Sequence, residues 1–159
     1  MNHFDNLHYD VKEHVVKYLD FAGLRALSGV SHSNRGFFRR HRDTRAIDFL
    51  NAINTRDWDR VQGMLNADAS LCNCKAPMTD RHGVEHPSCT PLQLIVLNIR
   101  VSSQFGQAAH IVGQLLNGMQ EEDLRSQLSK LAAQGETKRN MVARAAAQGG
   151  HRAYAEELR

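Results

Sequence analysis

The 159 residues suit one compact domain or a small module fused to a short array, and hydrophobic and charged contents of 42% and 23% exclude a disordered chain as the default. A formal charge of +3 is too small to call for a nucleic-acid partner, while the polar opening Met1–Asn6 and the short apolar run Leu94–Leu97 argue against a signal peptide and a membrane span. The cysteines Cys72, Cys74 and Cys89 are odd in number and share one stretch, which favours a reducing, cytoplasmic compartment over a disulfide-stapled secreted fold.

Leu7, Val11, Val15 and Leu19 recur every four residues, with Val16 and Tyr18 beside them, and predict a first amphipathic helix. After the junction Asp20-Phe21-Ala22-Gly23, Leu24, Leu27 and Val30 step by three and predict a second. Ser31 and Ser33 offer caps for a short third helix carrying Phe37 and Phe38. Three such helices are too little chain to bury their own apolar faces, so this unit is expected to pack on something else. The stretch Phe37–Arg45 reads as a basic linker with aromatics, a solvated helix face between modules. Phosphate binding would need several converging cations, and no matching stripe follows.

From Ala46 the pattern changes to pairs of short helices. Ile47, Leu50 and Ile53 form one strip, and Asp57 can cap the next helix, where Val61, Met64 and Leu65 face inward. After a long polar segment, Thr90 caps a helix with Pro91 in its first turn, followed by Leu92, Leu94 and Ile95. Its partner carries Ala108, Ile111, Val112, Leu115 and Leu116 and ends at Gly118. Leu124, Leu128 and Leu131 predict one further helix. Met141, Val142, Ala145 and Ala146, the turn Gly149-Gly150, then Tyr154 and Leu158 complete a last pair.

The N-terminal stretch resembles an F-box: Leu7-His8-Tyr9-Asp10-Val11, Val15-Val16, Tyr18-Leu19-Asp20, Leu24, Leu27 and Val30-Ser31 match that motif without a gap. His8 stands where the family usually has proline, and Asn34 where it often has tryptophan. The region from Ala46 resembles ankyrin repeats, in Thr90-Pro91-Leu92-Gln93-Leu94, in Ala145-Ala146-Ala147-Gln148-Gly149-Gly150-His151, and in Ala52–Asp57 followed by Met64-Leu65. The expected fold is therefore all-α: a three-helix F-box-like module over 4–38, then an irregular ankyrin-type array over 46–159 with insertions at about 67–89 and 99–107. That order resembles secreted bacterial effectors, and proteins of large viruses, that enter the host ubiquitin system.

What the resemblance implies is a non-catalytic adaptor in the host cytoplasm, with protein partners, no cofactor, and neither nucleic acid nor membrane as ligand. Its N-terminal helices would dock the Skp-type subunit of a Skp–cullin–F-box ubiquitin ligase through Leu7, Asp10, Val11, Val15, Val16, Leu19, Leu24, Leu27 and Val30. Its repeats would hold a target protein. The alternative within the same class is a plain ankyrin scaffold whose N-terminal helices only cap the array.

A different class of reading rests on Cys72, Cys74, His82, His86 and Cys89, soft or imidazole ligands within eighteen residues. Zinc would accept four of them, but Cys-x-Cys is tighter than the usual structural-zinc spacing, and an ordinary long loop is the preferred expectation. Cys89, at the start of a helix with a histidine nearby, could also serve as a thiol nucleophile. No glycine-framed nucleophile turn, acid partner or phosphate-cradling loop accompanies it.

Overall fold

The computed structural model describes residues 9–30, 34–99, 105–119, 121–127, 131, 133 and 135–159. Nine α-helices lie among them: α1 (Tyr9–Val16), α2 (Phe21–Val30), α3 (Arg35–Asn54), α4 (Trp58–Ala67), α5 (Pro91–Asn98), α6 (Phe105–Gly118), α7 (Glu121–Ser126), α8 (Glu136–Gln148) and α9 (Arg152–Leu158). None of the helices among the described residues is long and apolar enough to cross a membrane. The fold is mostly helical, as expected, but it is not purely so. The segment expected to be an insertion holds a 3₁₀ turn (Ala69–Asn73) and an antiparallel hairpin, β1 (Ala76–Thr79) with β2 (Glu85–Cys89).

Asp80-Arg81-His82-Gly83 makes the hairpin, with aspartate opening a β-turn and glycine closing it. The Gly83 N–H donates to the Asp80 carbonyl at 3.0 Å, and Gly83 adopts φ 81°, a left-handed conformation that glycine takes without strain. Along β1, Ala76 and Met78 point into the core while Pro77 and Thr79 face out, the period-two pattern of a half-buried strand.

The third helix corrects the expected boundaries. It is not short, and the basic stretch Phe37–Arg45 is no linker: α3 runs unbroken for 20 residues from Arg35 to Asn54. Its inward face explains this, because Phe38, Arg42, Arg45 and Phe49 follow one another at helical spacing. Phe38 and Phe49 are buried, and the two arginines hydrogen-bond to the first two helices. Arg45 donates to the Val16 carbonyl at 2.7 Å and to the Leu19 carbonyl, closing the C-terminal end of α1. The expected caps Ser31 and Ser33 lie outside the described residues. Asn34 precedes α3 without capping it, and its Oδ1 instead accepts from Lys12 Nζ at 2.9 Å.

Two apolar cores result. A small one joins Val16, Leu24 and Phe38, with Leu19, Leu27 and Phe37 packed against it. The larger one starts at Phe21 and runs through α3, α4, the hairpin, α5, α6, α8 and α9. Ile47, expected inside, is 39% exposed, and its place is taken by Ala46 and Phe49. Other local expectations agree: Asp57 accepts from the Arg60 N–H, Thr90 Oγ1 from the Gln93 N–H, and Gly150 turns the chain at φ 90°. Of the helix expected at Leu124–Leu131, α7 is described, while 128–130 fall outside the described residues. So does 100–104 of the second expected insertion.

The first helices are fastened to the rest of the chain at the start of α2. A helix leaves its first N–H groups without intrahelical partners. Here the Phe21 N–H donates to Asp68 Oδ2 at 2.8 Å, Ala22 N–H to Ser70 Oγ at 3.1 Å, and Gly23 N–H to Asp20 Oδ1 at 2.7 Å. Asp68 ends α4 and Ser70 lies in the 3₁₀ turn that follows, so this cap also clamps α2 to a part of the chain distant in sequence. The Asp68 carboxylate is favourable there because helix N-termini carry partial positive charge.

Candidate protein-docking site

The residues expected to dock an adaptor separate into three groups. Val16 and Leu24 are sealed in the small core, so neither can touch a partner in this conformation. Val15, Leu19 and Leu27 are half-buried, and Asp10 and Val11 are exposed, Val11 by 45%. Leu7 and the Val30 side chain lie outside the described residues. The stripe at positions 11, 15 and 19 is thus turned partly outward, because the innermost residue of α1 is Val16, one position further on.

The inward side of α1 is held by polar contacts as well, Lys12 to Asn34 and Glu13 to His41 Nε2 at 3.3 Å. Its outward side carries Val11 and His14, and Tyr18 follows in the turn after α1, with the His14 and Tyr18 rings edge-to-face at 5.3 Å. Tyr18 is 79% exposed, and with Val11 and His14 it makes an outward strip along α1 and the turn after it. Large exposed apolar side chains grouped on one face are a feature of interaction surfaces. Sequence reasoning placed Tyr18 beside the stripe without assigning it to the site.

A second surface lies between α6 and α8. Two open recesses of about 200 Å³ and 240 Å³ share Ala109, His110, Ala145 and Gln148. Small residues on facing helices, Ala109, Gly113 and Ala145, leave the depression, and His110, Arg144 and Gln148 give it polar edges.

The cysteine–histidine stretch is not brought together as a ligand set. Cys72, Cys74 and Cys89 are all reduced and buried, as parts of the core. Burial raises the Cys72 and Cys74 thiols above the ordinary range, and the neighbouring Cys72 and Cys89 sulfurs push Cys74 further. Cys89 is sealed at the end of β2, its Sγ 3.7 Å from the Thr90 carbonyl oxygen. His82 is exposed in the hairpin turn. Among the described residues no group of three or more His, Cys, Asp or Glu side chains is arranged to hold a metal ion.

His86 has a different use. Its Nε2 lies 2.9 Å from Asp80 Oδ2, and its Nδ1 lies 3.4 Å from Gln93 Nε2 at the start of α5. Asp80 Oδ1 accepts from the His82 and Val84 N–H groups at 2.8 and 3.0 Å. The His86 contact, followed by these backbone donors, holds the Asp80 carboxyl below its ordinary range. A carboxylate with a depressed folded-state pKa stabilises fully above its unfolded value, and this is lost as pH falls through the folded one. Hydrogen-exchange protection of the Val84 amide is expected to fall below the ordinary carboxylate range, and Asp80→Asn to remove most of that acid dependence.

No protein-family model, curated protein or solved structure matches the chain.

Proposed function

We propose that this chain is a non-catalytic adaptor: the outer face of α1 docks the Skp-type subunit of a Skp–cullin–F-box ubiquitin ligase, and the α6–α8 groove holds a target protein. The observation that carries the reading is the outward strip of Val11 and Tyr18, along α1 and the turn after it, while Val16 of α1 closes the small core. Such a module is folded without that strip being covered. Further support comes from the order of elements after Ala46: a helix pair, a hairpin, then a second pair opened by Thr90-Pro91-Leu92. Paired helices joined by a β-turn are what an ankyrin-type reading expects. The adaptor acts by proximity, raising the effective concentration of target beside the ligase, and works in the cytoplasm of a host cell.

The clamp of Asp68 and Ser70 on α2 favours a second reading, a plain ankyrin-type scaffold in which the first helices only cap the array. Titration of the purified Skp-type subunit into the protein separates the two. The adaptor reading expects binding by the wild type, weakened roughly tenfold or more by Val11→Asp with Tyr18→Asp, about 1.4 kcal/mol or more. Both side chains are exposed, so thermal unfolding is expected to change little. Absence of binding by the wild type leaves the scaffold.

A further inference from the structure

Arginine and lysine side chains that are distant in sequence converge beside the first turn of α2. A recess of about 230 Å³ is lined by Phe21 and Arg25 of α2, Arg42 of α3, Asn73 of the 3₁₀ turn, and Lys75 just before β1. No carboxylate lines it. Arg42 is already oriented: its Nε and Nη2 donate to Asp43 Oδ1 at 3.0 and 2.9 Å, and its Nη1 to Ser28 Oγ at 3.3 Å. Ser28 in turn donates to the Arg25 carbonyl at 2.8 Å, so α2 and α3 hold this guanidinium between them. A guanidinium has five N–H donors, and three are engaged, so two remain for a ligand. Among the described residues, neither Arg25 nor Lys75 has a carboxylate partner.

We propose that this recess binds a phosphate monoester. Arg42, held by Ser28 and paired with Asp43, and the exposed Arg25 and Lys75 reach the recess from α3, α2 and the chain before β1, a surplus of two positive charges that suits a group with several terminal oxygens and close to two negative charges. A single carboxylate is satisfied by one guanidinium fork and leaves the other cations unmatched. The recess is large enough, since a water takes about 30 Å³ of liquid volume. Asp123 lines a smaller adjoining cavity of about 20 Å³ together with Arg25, Asn73 and Lys75. The assignment is independent of the adaptor reading, because it uses the outer side of α2 and α3 and not the outward strip of α1.

The probe is inorganic phosphate, titrated into the isotope-labelled full chain at constant ionic strength and followed by amide and arginine Nε chemical shifts. Saturable shifts are expected at Arg25, Arg42, Asn73 and Lys75, with binding in the millimolar range because the site is open and screened. Arg25→Gln with Lys75→Gln is expected to weaken it by roughly tenfold or more. Both residues are exposed, and Arg42 is left intact because it ties the helices together. A phosphoserine peptide and a free sugar phosphate titrated in parallel locate the source: tighter binding of the peptide points to a modified protein partner, and tighter or equal binding of the sugar phosphate to a metabolite. The proposal is overturned if chloride or acetate produces the same shifts, or if the double variant titrates like the wild type.

Discussion

Phe38→Ala is expected to release α1 and the second half of α2 while the larger core stays folded. The small core contains Val16, Leu24 and Phe38, with Leu19, Leu27 and Phe37 partly buried around it. Removing a buried phenylalanine costs about 3–5 kcal/mol, more than so few neighbours can supply. It also removes the edge-to-face contact between Phe37 and Phe38, centroids 5.6 Å apart. Phe21 should stay in place, because it belongs to the larger core and its N–H is held by Asp68. Native-state hydrogen exchange reads the result: the Leu24 amide should lose protection, while those of Ile53 and Ile111 keep it. Phe38→Leu, which keeps most of the volume, should cost much less. Equal loss in both regions would mean that the two cores unfold as one unit.

Gly118→Ala should destabilise the chain by about 1–3 kcal/mol, although alanine is ordinarily the better helix residue. A Cβ at Gly118 would sit 2.5 Å from Cys72 Sγ and 3.5 Å from its Cβ. Cys72 is buried and has a single side-chain torsion, so its sulfur has little room to withdraw. The Gly118 carbonyl also accepts from Asn73 Nδ2 at 3.2 Å, so any shift of the backbone strains the 3₁₀ turn. A double-mutant cycle with Cys72→Ala tests the cause. Removing the sulfur should recover most of the loss, a coupling of about 1 kcal/mol or more, whereas additive costs would place the obstacle elsewhere. Gly149→Ala is the natural comparison. Its Cβ would also lie 2.5 Å from a side-chain atom, Asn117 Oδ1, but Asn117 is exposed and can swing away. That change should be close to neutral.

Local signals were legible wherever a short stretch of chain decides its own conformation. Thr90-Pro91, Asp57 and Gly149-Gly150 place helix ends by chemistry contained within a few residues. The hairpin had such a signal too, in Asp80-Arg81-His82-Gly83. It was masked by the surrounding cysteines and histidines, and by strands that contain Pro77 and Pro87 and almost no β-branched residues. The continuity of α3 was hidden for another reason. Two of the four residues on its inner face, Arg42 and Arg45, are charged, and a pattern search reads charge as exposure. They face inward because carbonyl and hydroxyl oxygens of α1 and α2 wait there.

The division of the docking stripe could not be read at all. Whether Val11 or Val16 is covered depends on the rotation of α1, which is set by contacts with Asn34, His41 and Arg45. The clamp on α2 is equally remote, joining residues separated by 47 and 48 positions.

The unbroken course of α3 has a mechanical consequence. Twenty helical residues form a rod of about 30 Å, and this one starts under the small core and ends inside the large one. A flexible tether would let two bound proteins sample many mutual orientations. A rod clamped at both ends allows very few, so on the adaptor reading the protein on α1 would keep a fixed bearing on the one between α6 and α8. Inserting residues into α3 would rotate that bearing by about 100° per residue at 3.6 residues per turn, changing which part of one guest faces the other without altering the affinity for either.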